Sequence, residues 1–317
     1  MVIKKKYDVV VVGELNVDLI ANGLPKFPEV GKEIIANQFV TTLGSSSAIF
    51  ANNLSAFGTK VTFTGKVGND NYGDFIVASL QARRVDVSNI IRTGKQDTGV
   101  TIVLNYDEDR AMVTYQGAMA AFTLGDIPDS VLEQARHLHL SSIFLQEGLK
   151  KDIVSLFKKA KRLGLTTSLD PQWDPSEKWD IDWENLLGYV DIFMPNQAEL
   201  KAITNTTTIL AAVDALRSFF NILVVKNGRE GAVVWTGSDS IHQPAFFNNS
   251  VVDSIGAGDS FNAGFIHAFL QGGGLKECME FGALMGAINT TSSGGTMAFE
   301  NMSRVKEIAK SSFDYTL

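Results

Sequence analysis

The stretch Val251-Val252-Asp253-Ser254-Ile255-Gly256-Ala257-Gly258-Asp259-Ser260-Phe261-Asn262-Ala263-Gly264-Phe265 decides how the chain is read. Two glycines flank an alanine, an aspartate follows, and apolar residues then recur at helical spacing at Phe261, Phe265, Ile266 and Phe269. A glycine turn that opens a helix leaves several backbone N–H groups aimed at one point, and the helix dipole adds partial positive charge there. Such a point can hold a phosphate, or a phosphoryl group in transit. Asp259 falls in the first helical turn, beside that point, where it can take a proton from a hydroxyl. The dipole is expected to keep it ionised near neutral pH. The plainer alternative is that the aspartate merely complements the dipole and the glycines merely turn the chain. Two familiar phosphate motifs are absent. A Walker A loop needs Gly-Lys-Ser/Thr, whereas Gly31-Lys32, Gly65-Lys66 and Gly94-Lys95 are followed by Glu33, Val67 and Gln96. A dinucleotide fingerprint needs a third glycine where Phe261 stands, and lies near a first strand.

Composition narrows the classes further. The chain has 317 residues, of which 45% are hydrophobic, so it can bury a large core. A net charge of −7 with scattered Lys and Arg leaves no basic stripe for nucleic acid, and Lys4-Lys5-Lys6 reads as a solvated end. The single cysteine, Cys278, excludes an intrachain disulfide framework and fits a reducing compartment. It reads as a buried side chain rather than a nucleophile. No apolar run approaches the ~18 residues of a membrane span, and charged residues lead straight into a strand without a signal-peptide pattern. The expected location is the cytoplasm.

Outward from the motif, short β-branched runs alternate with helical patterns. Val9-Val10-Val11-Val12 is a buried strand, with further strands expected at 61–64, 137–142, 165–169, 190–194 and 222–226. Helices are expected at 46–57, 72–83, 149–163, 208–219, 258–270 and 275–291. This alternation predicts an α/β fold, a mainly parallel central sheet with helices on both faces. Residues 33–42, 100–105 and 111–115 break the rhythm and read as a small separate sheet, with a polar turn at Asp107–Arg110. Placed over the strand ends, such a sheet makes a lid. No linker divides the chain, so residues 1–317 are expected to be one domain.

Further pieces surround the opening motif. They are Gly13-Glu14-Leu15-Asn16-Val17-Asp18, Gly31-Lys32, Leu43-Gly44-Ser45, Thr64 to Gly73, Thr98-Gly99-Val100, Pro195-Asn196-Gln197-Ala198-Glu199, and Lys226-Asn227-Gly228 to Gly231. In this order and spacing they resemble the ribokinase-like (PfkB) carbohydrate kinases over essentially the whole chain. The resemblance implies a three-layer ribokinase-like fold whose lid is formed by about 14–43 and 98–117. It implies ATP-dependent phosphorylation of a hydroxyl on a small sugar or sugar-like molecule, with Asp259 as base and Gly256, Ala257 and Gly258 as anion hole. It assigns Asn16, Asp18, Gly44, Ser45, Ile49 and Asn53 to the substrate, and Asn196, Lys226, Gly228, Gly231 and Asn289 to the nucleotide. Glu199 would organise Mg²⁺, largely through water, and Asp253 a monovalent cation such as K⁺. Asn196 and Glu199 also suit a capped helix start, and both roles can hold at once. Lids of this family often pair between subunits, which makes a homodimer an expectation. Sugar and ATP are the expected partners, with neither nucleic acid nor membrane.

The departures touch the substrate. Ser45 stands where the family usually has a second glycine, and Ile49 where it has an asparagine that bonds the sugar. Asn52 and Asn53, one turn later, are candidates to supply that bond. The loop after Asp170 offers Gln172 and Trp173 where the family's sugar-acid kinases carry an arginine. A nucleoside kinase of the same fold and a sugar-binding sensor without turnover remain alternatives. The histidines, His137, His139, His242 and His267, lack metal-ligand spacing. Gly44-Ser45-Ser46-Ser47-Ala48 ends in alanine where a nucleophile elbow needs glycine.

Overall fold

In the computed structural model, which describes residues 5–106 and 109–317, the valines Val9–Val12 are wholly buried. Val10 and Val12 join one apolar cluster while Val9 and Val11 join another, because successive side chains of a strand point to opposite faces. This strand, β1 (Tyr7–Val12), sits inside a sheet covered on both sides. The other strands are β2 (Asn16–Asn22), β3 (Gln38–Leu43), β4 (Val61–Gly68), β5 (Asp86–Thr93), β6 (Gly99–Tyr106), β7 (Asp109–Tyr115), β8 (Ala135–Ser141), β9 (Thr166–Asp170), β10 (Ile192–Phe193), β11 (Ile222–Lys226), β12 (Ala232–Thr236) and β13 (Asp239–Gln243). Nine form the main sheet in the order β13-β12-β11-β10-β9-β8-β1-β4-β5. It is parallel from β5 to β11 and ends in the antiparallel pairs β11–β12 and β12–β13.

Strands β3-β2-β6-β7 form a second, mixed sheet. Residues 100–106 and 109–115 therefore lie outside the central sheet, in a separate small sheet as expected. Lys4 and the Asp107-Glu108 part of the expected turn lie outside the described residues. Two expectations are corrected. The strand expected at 33–42 begins only at Gln38. The helix expected at 149–163 divides into Glu147–Lys150 and Ile153–Arg162. The first of these short turns is anchored by Gln146, whose amide donates to the carbonyls of Ser141 and Ser142 at 2.9 and 3.2 Å. Edge strand β5 carries no distinct strand signal in the sequence, because its residues are half-buried and mixed in polarity.

The histidines behave as core residues. His137 bonds Thr166 and Ser168 at 2.8 and 2.7 Å, and His139 bonds Ser168 and Ser141 at 2.7 and 2.9 Å. Burial pushes both well below the ordinary histidine range, so they are neutral hydrogen-bonding groups.

Candidate active site

The parallel strands end their carboxyl termini along one edge, where open α/β sheets bind ligands. Asp170 closes β9 and Lys226 closes β11 there. The helix Ala257–Leu270 begins at the same edge, capped by Gly256 in the left-handed region at φ 75°. A Cβ on Gly256 would stand 2.5 Å from Gly295 Cα, so only glycine fits both the dihedral and the space. Ala257 N–H is drawn back to the carbonyl of Ser254 at 3.3 Å. Among the described residues, the N–H groups of Gly258 and Asp259 have no backbone partner. Ala257, expected in the anion hole, is thus engaged within the turn, while Gly258 and Asp259 are open. Lys226 Nζ lies 3.7 Å from where a Cβ on Gly258 would be, placing a cation beside those donors.

Asp259 is buried at this turn, and one carboxylate oxygen accepts from Gln172 Nε2 at 3.2 Å. Burial and the nearby Asp170 carboxylate hold its pKa well above the ordinary aspartate value, while Lys226 and Ser46 oppose them. The expectation that the dipole governs its ionisation is corrected. A helix dipole contributes about 0.3–1 kcal/mol, less than the cost of burying a carboxylate charge. Lys226 is the main compensation. It pairs with fully buried Asp170, and although burial works against its charge, Asp170 and Glu199 outweigh that and raise its pKa.

Asn196 and Glu199 make the capping box expected of them. Asn196 Oδ1 accepts from the N–H groups of Ala198 and Glu199 at 2.9 Å, and Glu199 accepts from Asn196 N–H at 2.8 Å. Burial and Asp170 push Glu199 up to about 7, with Lys226 pulling the other way. Among the described residues no three or more His, Cys, Asp or Glu converge as a metal-ligand set.

Across the cleft, the inner face of the second sheet presents Asp18. Its carboxylate accepts from Asn16 Nδ2 at 2.9 Å, and Asn16 also donates to Thr101 at 3.0 Å. Burial raises Asp18 to about 7. A Cβ on Gly44 would fall 2.2 Å from Asp18 Oδ1, so glycine keeps this carboxylate open. The cleft between the sheets holds about 1080 Å³. Its lining includes Asn22, Asn105 and Arg110 from the small sheet, Lys226 from the large one, and Gly228, Gly231, Asp253 and Gly258 from the turns and helix start beside it.

Five expected contact residues are engaged as scaffold. Ser45 has φ 70°, which is why a glycine suits that position, and its hydroxyl caps the following helix by accepting from Ala48 N–H at 3.0 Å. Ile49 packs against Gly256 and Gly295. Asn53 donates to Ser260 and to the Gly295 carbonyl, both at 2.9 Å. Asn289 donates to the Ile255 carbonyl at 2.7 Å and accepts from Ser260 at 2.9 Å. Asp253 accepts from Ile255 and Gly294 N–H at 2.9 and 2.8 Å, tying the turn to the neighbouring loop.

A profile described as pfkB family carbohydrate kinase matches residues 6–302. The chain belongs to the pfkB family of carbohydrate kinases. It is accordingly a phosphotransferase with a sugar hydroxyl as acceptor. It is 29% identical over 301 residues to a 2-dehydro-3-deoxygluconokinase of Bacillus subtilis, covering 91% of each chain. It is 27% identical over 276 residues to a nucleoside kinase of Methanothermobacter thermautotrophicus, covering 86% of each. The fold is also that of an Arabidopsis thaliana ribokinase solved with ribose and ATP. The TM-score is 0.82 at 24% identity, over 96% of this chain and 99% of that one.

Three residues of this pfkB member had no role assigned from sequence. Asp170 anchors Lys226 and accepts from Asn262 at 2.5 Å. Glu14, fully buried, accepts from Ser47 N–H at 3.1 Å and braces the Gly44–Ser47 turn. Gln172 touches Asp259. An acid at the carboxyl end of an expected strand was the available signal for Asp170. Nothing local marked the other two, whose partners lie 33 and 87 positions away in sequence.

Proposed function

We propose that the protein transfers the terminal phosphoryl group of ATP to a hydroxyl of a small sugar or sugar-like substrate held between the two sheets. The observation that carries this reading is Asp259, buried at a glycine turn with two open N–H groups and Lys226 beside them. Asp259 accepts the proton of the acceptor hydroxyl as its oxygen attacks phosphorus and ADP leaves. The N–H groups of Gly258 and Asp259 and the Lys226 ammonium stabilise the charge on the transferred group, in a site sheltered from water. Asp18, oriented by Asn16, accepts hydrogen bonds from sugar hydroxyls on the opposite side. Gly228 and Gly231 leave room for nucleotide phosphates beside Lys226. Ser45, Ile49, Asn53 and Asn289 shape the turn from behind.

Mg²⁺ suits the acid-rich corner of Glu199 and Asp170, where burial and the neighbouring Asp170 carboxylate raise the proton affinity of Glu199; when bound it would neutralise phosphate charge. Glu199 is the residue placed to hold it through water, with Asn196 fixing its carboxylate. Asp253 retains lone pairs for a monovalent cation behind the turn. The small sheet acts as a lid.

A panel of sugars, sugar acids and nucleosides, with ADP release measured, tests the reading. Turnover of at least one sugar or sugar acid is expected. Turnover of adenosine or inosine alone would favour the nucleoside reading that the 27% identical relative suggests. No turnover of any member under Mg²⁺ and K⁺ would overturn the assignment.

The pH profile follows from the base Asp259, whose pKa burial and Asp170 raise, together with the two carboxyls held at about 7, Asp18 and Glu199. Each works ionised, Asp18 as acceptor and Glu199 as cation holder, and each is largely protonated below that value. The expected kcat/KM therefore rises as pH increases through about 7 and levels off above it. A flat profile from about pH 6 to about pH 8.5 would contradict these roles.

The outer face of the lid exposes Phe39, Ile102, Val113 and Tyr115, which the strand register places on one side. A second copy of the chain is the proposed occupant, and light scattering should return twice the 34.4 kDa chain mass. A monomer at micromolar concentration would exclude that pairing.

A further inference from the structure

Gln172 sits two residues past the end of β9 with φ 58°, in the left-handed region that a side chain disfavours. Glu177 and Trp179 of the same loop are also left-handed, at φ 54° and 52°. The loop is nonetheless well held. Asp174 accepts from Trp179 and Ser176 N–H at 2.7 and 2.8 Å, and Trp173 packs edge-on against Trp179 with ring centroids 5.2 Å apart. The strained backbone directs the Gln172 amide inward, where Nε2 donates to Asp259 Oδ1 and to Asp170 Oδ2, each at 3.2 Å. Its own N–H donates to Asp170 Oδ1 at 3.3 Å. Both side-chain partners are carboxylates, so the NH₂ group must face them and the amide orientation is determined.

Strain of this kind persists where the surroundings over-determine it, and it clusters at functional sites. We propose that Gln172 is a positioning residue for phosphoryl transfer, its amide bridging Asp259 and Asp170. This proposal rests on the reading of Asp259 as base. One amide hydrogen fixes the rotamer of the Asp259 carboxylate, occupying Oδ1 and leaving Oδ2 for the acceptor hydroxyl. The other ties that carboxylate to Asp170, and through Asp170 to Lys226. Base and phosphate-facing cation are thereby held in one frame. A neutral donor is the suitable bridge. A third carboxylate here would repel both partners, and a second cation would compete with Lys226 for Asp170.

Gln172→Gly separates this role from loop formation, because glycine adopts the left-handed backbone freely but carries no amide. The expected variant melts at or above the wild-type temperature. Its kcat falls about ten- to hundredfold, the loss of one hydrogen bond to a charged group. Its KM for ATP stays within about twofold, since no nucleotide contact is removed. The acid limb of its kcat profile moves as Asp259 loses a donor. Gln172→Glu, of equal length but without the donor, is expected to lose at least as much, and it carries the test if the glycine variant fails to fold. Wild-type kcat with an unmoved profile in either folded variant overturns the proposal. Asp259→Asn measured in parallel keeps the two readings distinguishable. If that variant is inactive and Gln172→Gly is normal, only the positioning role falls. If Asp259→Asn stays active, the base assignment fails and the proposal with it.

Discussion

Asp259→Asn should lower kcat by about 10²- to 10⁴-fold while changing the affinity for ATP far less. The asparagine keeps the shape of the side chain and can still accept from Gln172, so the fold and the turn survive. What disappears is the ability to take a proton. Removing a buried carboxyl whose charge is opposed by burial and by Asp170 also removes an electrostatic burden. The variant should therefore melt at or above the wild-type temperature, which separates catalytic loss from unfolding. Single-turnover rates beside a thermal melt make the measurement. A folded variant that keeps a tenth or more of the normal kcat would sink the role.

Lys226→Met should damage both stability and catalysis. The ammonium is mostly buried against fully buried Asp170, with Glu199 and Asp259 also within its field. Deleting one partner of a buried ion pair leaves an uncompensated charge, at a cost of about 3–5 kcal/mol. Here three carboxyls would share a corner without a cation. The pKa values of Glu199 and Asp259, which Lys226 holds down, would then rise above those in the wild type, so the folded state would gain protons relative to the unfolded chain. The destabilisation is consequently greatest at high pH and recedes as acid protonates the cluster. On the catalytic side, kcat/KM for ATP should fall about 10²- to 10³-fold, as when a donor facing developing charge is removed. Melting curves across pH and steady-state kinetics with varied ATP check both halves. Wild-type stability together with an unchanged KM for ATP would remove Lys226 from the site.

The central sheet and the helix at 257–270 were legible because their signals are local. Val9–Val12 can only be a strand buried on both faces, and the Gly256-Ala257-Gly258-Asp259 turn announces its helix through dihedral preference and spacing. The capping box at Asn196 and Glu199 was readable for the same reason, since both partners lie within four residues. Edge strand β5 and lid strand β2 were not, because half-buried strands of mixed polarity resemble loops until their neighbours are known.

What the chain determined by itself was the identity of the reactive groups: an aspartate at a helix start, a glycine turn before it, and acids and a lysine at strand ends. Only the tertiary structure decided how those groups act on one another. Burial and Asp170 overrule the helix dipole at Asp259, because desolvating a carboxylate costs more than a dipole returns. Ile49 and Asn53 brace the turn, since Gly295 comes against both from 242 or more positions away. Gln172 reaches Asp259 across 87 positions because a left-handed backbone aims it there. Charge coupling and steric contact fall off over a few ångströms of space, and no separation in sequence reports that distance.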